Sequence, residues 1–465
     1  MPCPSKPNHT NSMNGKLITA VVVSALGGLL FGFDTAVISG AEQSIKAMFG
    51  LDGFWHGFTN AIALIGTIFG ALIAGNAGDR YGRRNILILV AIFFAVSALG
   101  CAFTDSWYGF LFYRFLGGLG IGASSVIGPS YISEIAPANL RGRLVAIFQF
   151  NIVFGILLSF LSNYLINQLI AVDAWRWMLG VEAIPAVAFF GLLFLIPESP
   201  RWLIKMKREA EGLQVLRTMG SKNPEQESSE IIASLAQERG GANEPLFSRK
   251  FSFPIFLAIM LATFNQFSGI NAIMYYAPRI FEMTGLGTDT ALLQSVAIGV
   301  TNMLFTVLAM TLIDKFGRKT LLLIGSVGMI VSLGLTAMAF YQQDFNGYTV
   351  LIYLIGFIAS FAFSQGAVIW VFLAEIFPNS VRGKGQSLGS LTHWVWAAIM
   401  TWTFPVVAEL SYGGVLAFSF FGGAMVLHLI FVWKYLPETK GKTLEELEAV
   451  MARGYKRKPL EKVSR

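Results

Sequence analysis

The chain has 465 residues, of which 54% are hydrophobic and 13% charged. A water-soluble chain of this length would carry roughly a quarter charged residues to cover its surface. The 40 Phe and the apolar excess also exclude a disordered protein. Two cysteines, Cys3 and Cys101, cannot build a disulfide framework, and four scattered His show no metal-ligand spacing. The formal charge of +7 has to be read by position, because basic loops around membrane spans produce the same total as a nucleic-acid surface.

About 20 apolar residues are needed to cross a bilayer as a helix. In chain order, twelve such stretches begin near Leu17, Trp55, Asn85, Tyr108, Leu144, Trp175, Pro254, Leu292, Thr320, Thr349, Ser387 and Gly414. The first follows about sixteen polar residues and lacks a small-residue cleavage site, so it reads as a retained span rather than a signal peptide. Loops on one side are basic: Asp79-Arg80-Tyr81-Gly82-Arg83-Arg84, Arg141-Gly142-Arg143, Asp314-Lys315-Phe316-Gly317-Arg318-Lys319 and Arg382-Gly383-Lys384. The stretch 200–250 and the tail 437–465 share that side, whereas the opposite loops hold little beyond Lys46 and Arg279. The basic excess is expected in the cytoplasm, with both termini there. A sequon at Asn8-His9-Thr10 would then never meet a glycosylation machinery.

Residues 201–250 form the only long polar stretch, with helix-compatible runs at 203–219 and 225–238. They read as short helices on the membrane's inner face. No phosphate loop or nucleophile elbow accompanies them, so a separate catalytic domain is not expected.

The chain repeats itself. The turn at Asp79 returns at Asp314, 235 positions later; Glu134-Ile135-Ala136-Pro137 returns as Glu375-Ile376-Phe377-Pro378 after 241; Pro197-Glu198 returns as Pro437-Glu438 after 240. Six spans per half leave both halves in the same orientation, a parallel repeat about an axis along the membrane normal. The divisions are 1–200, a linker 201–250, 251–436 and a tail 437–465. A cleft between two six-helix bundles, opened alternately to each side, is the expected site. Asp79, Arg83, Glu134, Arg141 and their counterparts Asp314, Arg318, Glu375 and Arg382 can form a gate on the basic side, linking the bundles when the other side is open. Each exposed pair is worth only about 0–1 kcal/mol, which suits a gate that opens repeatedly.

Several of these segments together resemble a known family. Gly27-Gly28-Leu29-Leu30-Phe31-Gly32-Phe33-Asp34-Thr35-Ala36-Val37-Ile38-Ser39-Gly40 is similar to the first helix of sugar porters in the major facilitator superfamily. So are the turn at 78–84, Pro197-Glu198-Ser199-Pro200-Arg201-Trp202, Gln266-Phe267-Ser268-Gly269-Ile270-Asn271 and Pro437-Glu438-Thr439-Lys440-Gly441. The resemblance runs from about residue 17 to 445. Within the family the chain looks most like the bacterial xylose–proton symporters, and beyond them the facilitative glucose transporters. It implies an all-α major facilitator fold and a sugar carrier rather than an enzyme, with no cofactor and no metal.

A sugar offers many hydroxyls and a weakly apolar C–H face, so its site needs amides, which donate and accept together, and an aromatic plane. Deep in the spans the candidates are Gln149, Asn265, Gln266, Asn271, Asn302, Trp370, His393 and Trp394. Gln266 and Asn271 flank Gly269, where a broken helix could aim both inward. The resemblance places Gln149, Gln266, Asn271, Asn302 and Trp370 on the sugar. The chain departs from its relatives at Asn265, where many have Gln; at His393, where they use Gln or Asn; and at Ala367, where Pro is usual, which predicts a softer kink before Trp370.

Asp34 in the first span, Arg114 at the start of the fourth and Glu182 in the sixth are charges at membrane depth, costing several kcal/mol unless paired or wetted. Burial favours the neutral acid and a nearby Arg114 the carboxylate, so separating them switches protonation. The resemblance implies proton linkage for this trio, and facilitative relatives carry Asn where Asp34 stands. The expected partners are a monosaccharide, protons and the bilayer, with no nucleic acid, and one copy working alone. A passive uniporter with a structural Asp34–Arg114 pair and a non-transporting sugar sensor are the alternatives.

Overall fold

The computed structural model describes residues 14–137, 140–240, 244–343, 345, 348–378, 380–442, 446, 447 and 451. The sequon at Asn8, Cys3 and most of the tail beyond 442 lie outside the described residues.

Among them the first half runs α1 (Gly15–Phe49), α2 (Gly53–Tyr81), α3 (Arg83–Phe103), α4 (Trp107–Ile135), α5 (Arg141–Leu169), α6 (Ala174–Gly180) and α7 (Ala183–Leu192). A link of α8 (Pro200–Lys205), α9 (Glu209–Met219) and α10 (Pro224–Gly240) follows. The second half has α11 (Ser252–Phe267), α12 (Ile270–Tyr275), α13 (Ala277–Glu282), α14 (Thr288–Phe316), α15 (Arg318–Gln342), α16 (Thr349–Phe361), α17 (Ala367–Glu375), α18 (Arg382–Ala408) and α19 (Gly413–Tyr435). The run expected at 203–219 is therefore two helices, broken where Lys207 takes a left-handed φ of 63°.

Among the described residues, eleven helical stretches are long and apolar enough to cross a membrane. The twelfth expected span, α18, has 27 residues, about 40 Å at 1.5 Å per residue. It carries Lys384, Gln386, Ser387, Ser390, Thr392 and His393, which lower its apolar content. A helix that lines a polar interior can tolerate what a lipid-facing one cannot.

The repeat is visible in how its turns are built. Gly82 and Gly317 sit at φ 98° and 90°, opening α3 and α15. The Glu198 carboxylate accepts from the backbone N–H of Arg83 at 2.9 Å and of Arg84 at 3.1 Å. Glu438 accepts from those of Arg318 and Lys319, each at 3.0 Å. The two Pro-Glu motifs are thus caps supplied from a distance: each places a carboxylate on the unsatisfied, positive end of the helix that follows the turn.

The face opposite the basic loops is closed. Asn60 of α2 donates to the Tyr276 hydroxyl at 3.0 Å, Trp402 Nε1 donates to Phe54 O at 3.1 Å, and Asn167 donates to Asp289 at 2.6 Å. Lys46 of α1 is paired with Glu409 beyond α18. The contact of α2 with α18 is so close that a Cβ on Gly57 would fall 1.9 Å from Trp402 O. Behind these bonds one apolar core runs continuously from Phe33–Ile45 of α1 into Ile273–Phe281 of the second half.

Candidate sugar and proton sites

The broken helix expected at Gly269 is present. Gly269 has φ 85° and separates α11 from α12. The break turns Asn271 back onto its neighbour, so that Asn271 Nδ2 donates to Gln266 Oε1 at 2.8 Å. Gln266 Nε2 donates to Asn265 Oδ1 at 3.2 Å and lies 3.1 and 3.2 Å from the two ring nitrogens of His393. The His393 ring centroid is 5.0 Å from Trp370 and 4.9 Å from Trp394, and Trp394 reaches Phe31 of α1 at 5.9 Å. Asn265, Gln266, His393 and Trp394 are buried, Asn271 half-buried, and Trp370 keeps 38% of its surface exposed. Six of the eight candidates therefore form one chain of amides and aromatic rings against the first half. Gln149 on α5 is half-buried and Asn302 on α14 buried, with no side-chain hydrogen bond to this group among the described residues.

Before Trp370 the backbone forms a π-helical turn at Ala362–Gly366. Where relatives carry Pro, Ala367 follows this turn directly, and the π turn supplies the local irregularity in the helix. Within it, Gln365 Nε2 lies 3.2 Å from His428 Nδ1, and Ser326 Oγ 2.8 Å from the same atom. This buried trio was not among the sequence candidates. A lone His in the last span was the available signal.

Asp34 and Arg114 form an ion pair, each 1% exposed. Glu182, 3% exposed, stands at the break between α6 and α7 and feels both charges. Asp34 Oδ2, Glu182 Oε1 and Arg114 Nε and Nη2 lack hydrogen-bond partners among the described residues.

The basic-side residues divide between the halves. Arg83 is 2.8 Å from Asp79 and 3.0 Å from Glu134; Arg318 is 3.1 Å from Asp314 and 2.9 Å from Glu375. Arg141 and Arg382 make no ion pair among the described residues; Arg382 Nε donates instead to Phe377 O at 3.3 Å. The seven-residue acid–base spacing thus does not pair its own members here: each Glu is taken by the Arg of the neighbouring turn. The link is fastened to the second half, where the Glu244 carboxylate accepts from Ser380 at 2.7 Å and pairs with Lys250 at 3.1 Å. These donors hold the Glu244 carboxyl below its usual range, the Ser380 bond first.

The family profile described as "Sugar (and other) transporter" matches residues 20–451. The chain is 38% identical to the D-xylose-proton symporter of Escherichia coli over 95% of this chain and 97% of that one. It is 36% identical to the arabinose-proton symporter of Bacillus subtilis (96% and 97%) and 32% identical to the glucose facilitated diffusion protein of Zymomonas mobilis (94% and 98%). Among solved structures it resembles the inward-open conformation of the Escherichia coli xylose transporter XylE, with TM-score 0.83, 39% identity, and coverage of 93% of this chain and 99% of that one.

Proposed function

This chain belongs to that sugar transporter family, and from this premise we propose that it is a proton-coupled monosaccharide symporter working by alternating access. It is a multi-pass membrane protein with the major facilitator fold, not an enzyme. The basic-loop face is the cytoplasmic one, with both termini on it, and one copy forms the working unit, its halves 1–200 and 251–436 rocking about the cleft.

The observation that carries this reading is the chain of Asn271, Gln266, Asn265 and His393 at a helix break, beside the half-exposed Trp370. Its amides are already bonded to one another, so an entering sugar exchanges intraprotein hydrogen bonds for its own. Net gains of about 0.5–1.5 kcal/mol per bond keep affinity modest, and a site that releases its cargo needs that. Gln149 of α5 and Asn302 of α14 add their amides to the sugar's hydrogen bonds as the halves close on it. The outer face is shut and the cytoplasmic ion pairs stay within their halves, the arrangement of an inward-facing carrier.

Proton coupling rests on Asp34, Arg114 and Glu182. Protonating Asp34 releases Arg114, whose charge then turns to Glu182, and this exchange is linked to the tilt of α1 and α4. The relatives named as xylose– and arabinose–proton symporters support the reading. The second reading, passive uniport, is favoured by the relative named for facilitated glucose diffusion. Alkalinisation of the medium on adding sugar to de-energised vesicles separates the two.

A further inference from the structure

Near the outer face a second acid lies in α1. Glu42, 1% exposed, stands two turns beyond Asp34, and its Oε2 is 2.6 Å from Nε2 of His56 in α2, which is fully buried. The contact is close but poorly directed, leaving both Glu42 oxygens without a hydrogen-bond donor among the described residues. Glu42 also lines a cavity of about 620 Å³ at the outer face, together with Gln43, Asn167, Arg176, Arg279 and Glu282. From the second half, Arg279 Nη1 reaches 3.5 Å from Nδ1 of His56 and its Nη2 3.7 Å from Glu409.

We infer that Glu42 and His56 form a second proton-binding site, one that is emptied whenever the outer face closes; this rests on the alternating-access reading. A guanidinium facing Nδ1 can only donate, so that nitrogen must offer its lone pair and the ring must be neutral, with its proton on Nε2, the ring nitrogen nearer Glu42. With the second half swung away, a proton from the outer solution adds to Nδ1, and the Glu42 carboxylate holds the resulting imidazolium. Closure requires Nδ1 to return that proton to the outer solution before Arg279 arrives. Protonation and closure exclude each other.

The surrounding charges fit this assignment. On α1 the next charge is Lys46, which Glu409 neutralises. Around α6 stand Asp173 and Arg176, the latter paired with Asp105. From α13 come Arg279 and Glu282, and beside it the Tyr276 hydroxyl, which donates to Thr401 O. On α14, Asp289 accepts from Asn167, and Asp52 caps α2. Arg279 is therefore the cation that meets His56.

The test is sugar exchange in proteoliposomes at equal pH inside and out, between pH 7.5 and 5.5. The wild type should lose exchange at least fivefold on acidification. His56→Gln, which accepts from Arg279 but takes up no proton, should lose less than twofold, and Glu42→Gln should move the acid loss to lower pH. An unchanged acid loss in His56→Gln overturns the inference. A readout independent of transport is the distance between spin labels at Phe103 and Tyr412, both exposed at the outer ends of the two halves. It should lengthen at pH 5.5 in the otherwise wild-type chain but not with His56→Gln; equal distances at both pH values also overturn the site. A chain that shows this pH-dependent opening yet exchanges no sugar refutes the transport reading and leaves the proton site standing.

Discussion

Asp34→Asn isolates the coupling step, because it keeps the shape and hydrogen-bonding capacity of the side chain while removing its charge. Asp34 and Arg114 are each 1% exposed and paired with each other. Breaking a buried pair by removing one partner typically costs about 3–5 kcal/mol, since the remaining charge is stranded. Here Glu182, buried nearby, takes up part of that cost, so the variant should fold with lowered thermal stability, and Arg114→Gln added to it should restore some of the loss. The transport consequence is larger. One charge crossing 100 mV supplies about 2.3 kcal/mol, which at 1.36 kcal/mol per decade concentrates sugar about fiftyfold. In proteoliposomes carrying a potassium diffusion potential, the wild type should approach that ratio of labelled sugar, inside over outside. Asp34→Asn should stop near unity yet exchange sugar at a substantial rate. Accumulation of tenfold or more by Asp34→Asn would refute the assignment of coupling to this pair.

Other expectations follow from the geometry. Gln266→Ala removes the amide joined to Asn271, Asn265 and His393; losing one or two sugar bonds of about 1 kcal/mol each should raise the half-saturation concentration roughly five- to thirtyfold, and unchanged calorimetric binding would remove Gln266 from the site. Gly57→Leu puts side-chain bulk where Trp402 O lies 1.9 Å from the added Cβ, so the outer face should fail to close and exchange should stop while sugar still binds from outside. Glu198→Gln weakens the acceptor for the Arg83 and Arg84 N–H groups and should cost about 1 kcal/mol in thermal stability. Glu244, held below its usual range by Ser380 and Lys250, pairs with Lys250 only while ionised: that part of the tie is present at neutral pH and is weakened as acid titrates the depressed carboxyl, so protease cleavage of the link should quicken in Glu244→Gln at neutral pH, with the difference from the wild type shrinking in acid.

Much of this architecture was written in patterns the sequence exposes directly. Spans follow from apolar length, and the Asp-…-Gly-Arg turns and Pro-Glu pairs recur because each half needs the same cap at the same helix start. The Gln266–Gly269–Asn271 break was legible because a Gly between two amides in an apolar span has few other uses. What stayed hidden depends on tertiary partners. The pairing of Glu134 with Arg83 rather than Arg141 is decided by which Arg the folded turn delivers, and no spacing encodes it. The π turn at Ala362–Gly366 leaves the apolar pattern nearly unchanged, so periodicity does not distinguish it from an ordinary helix. Glu42 and His56 were visible as polar residues, but their meeting requires α1 and α2 to be packed. The low apolar content of α18 goes with His393, which it places against the Gln266 amide, a signal that a count of apolar residues reads as weakness.

The account stands most directly on proton movement caused by sugar alone. Vesicles containing the purified chain, with no imposed gradient and a weakly buffered medium, are given a panel of pentoses and hexoses while the external pH is recorded. Symport predicts a rise in external pH for the sugar carried, abolished by Asp34→Asn and by a protonophore. Entry of that sugar with a flat pH trace would contradict coupling and make the chain a passive carrier.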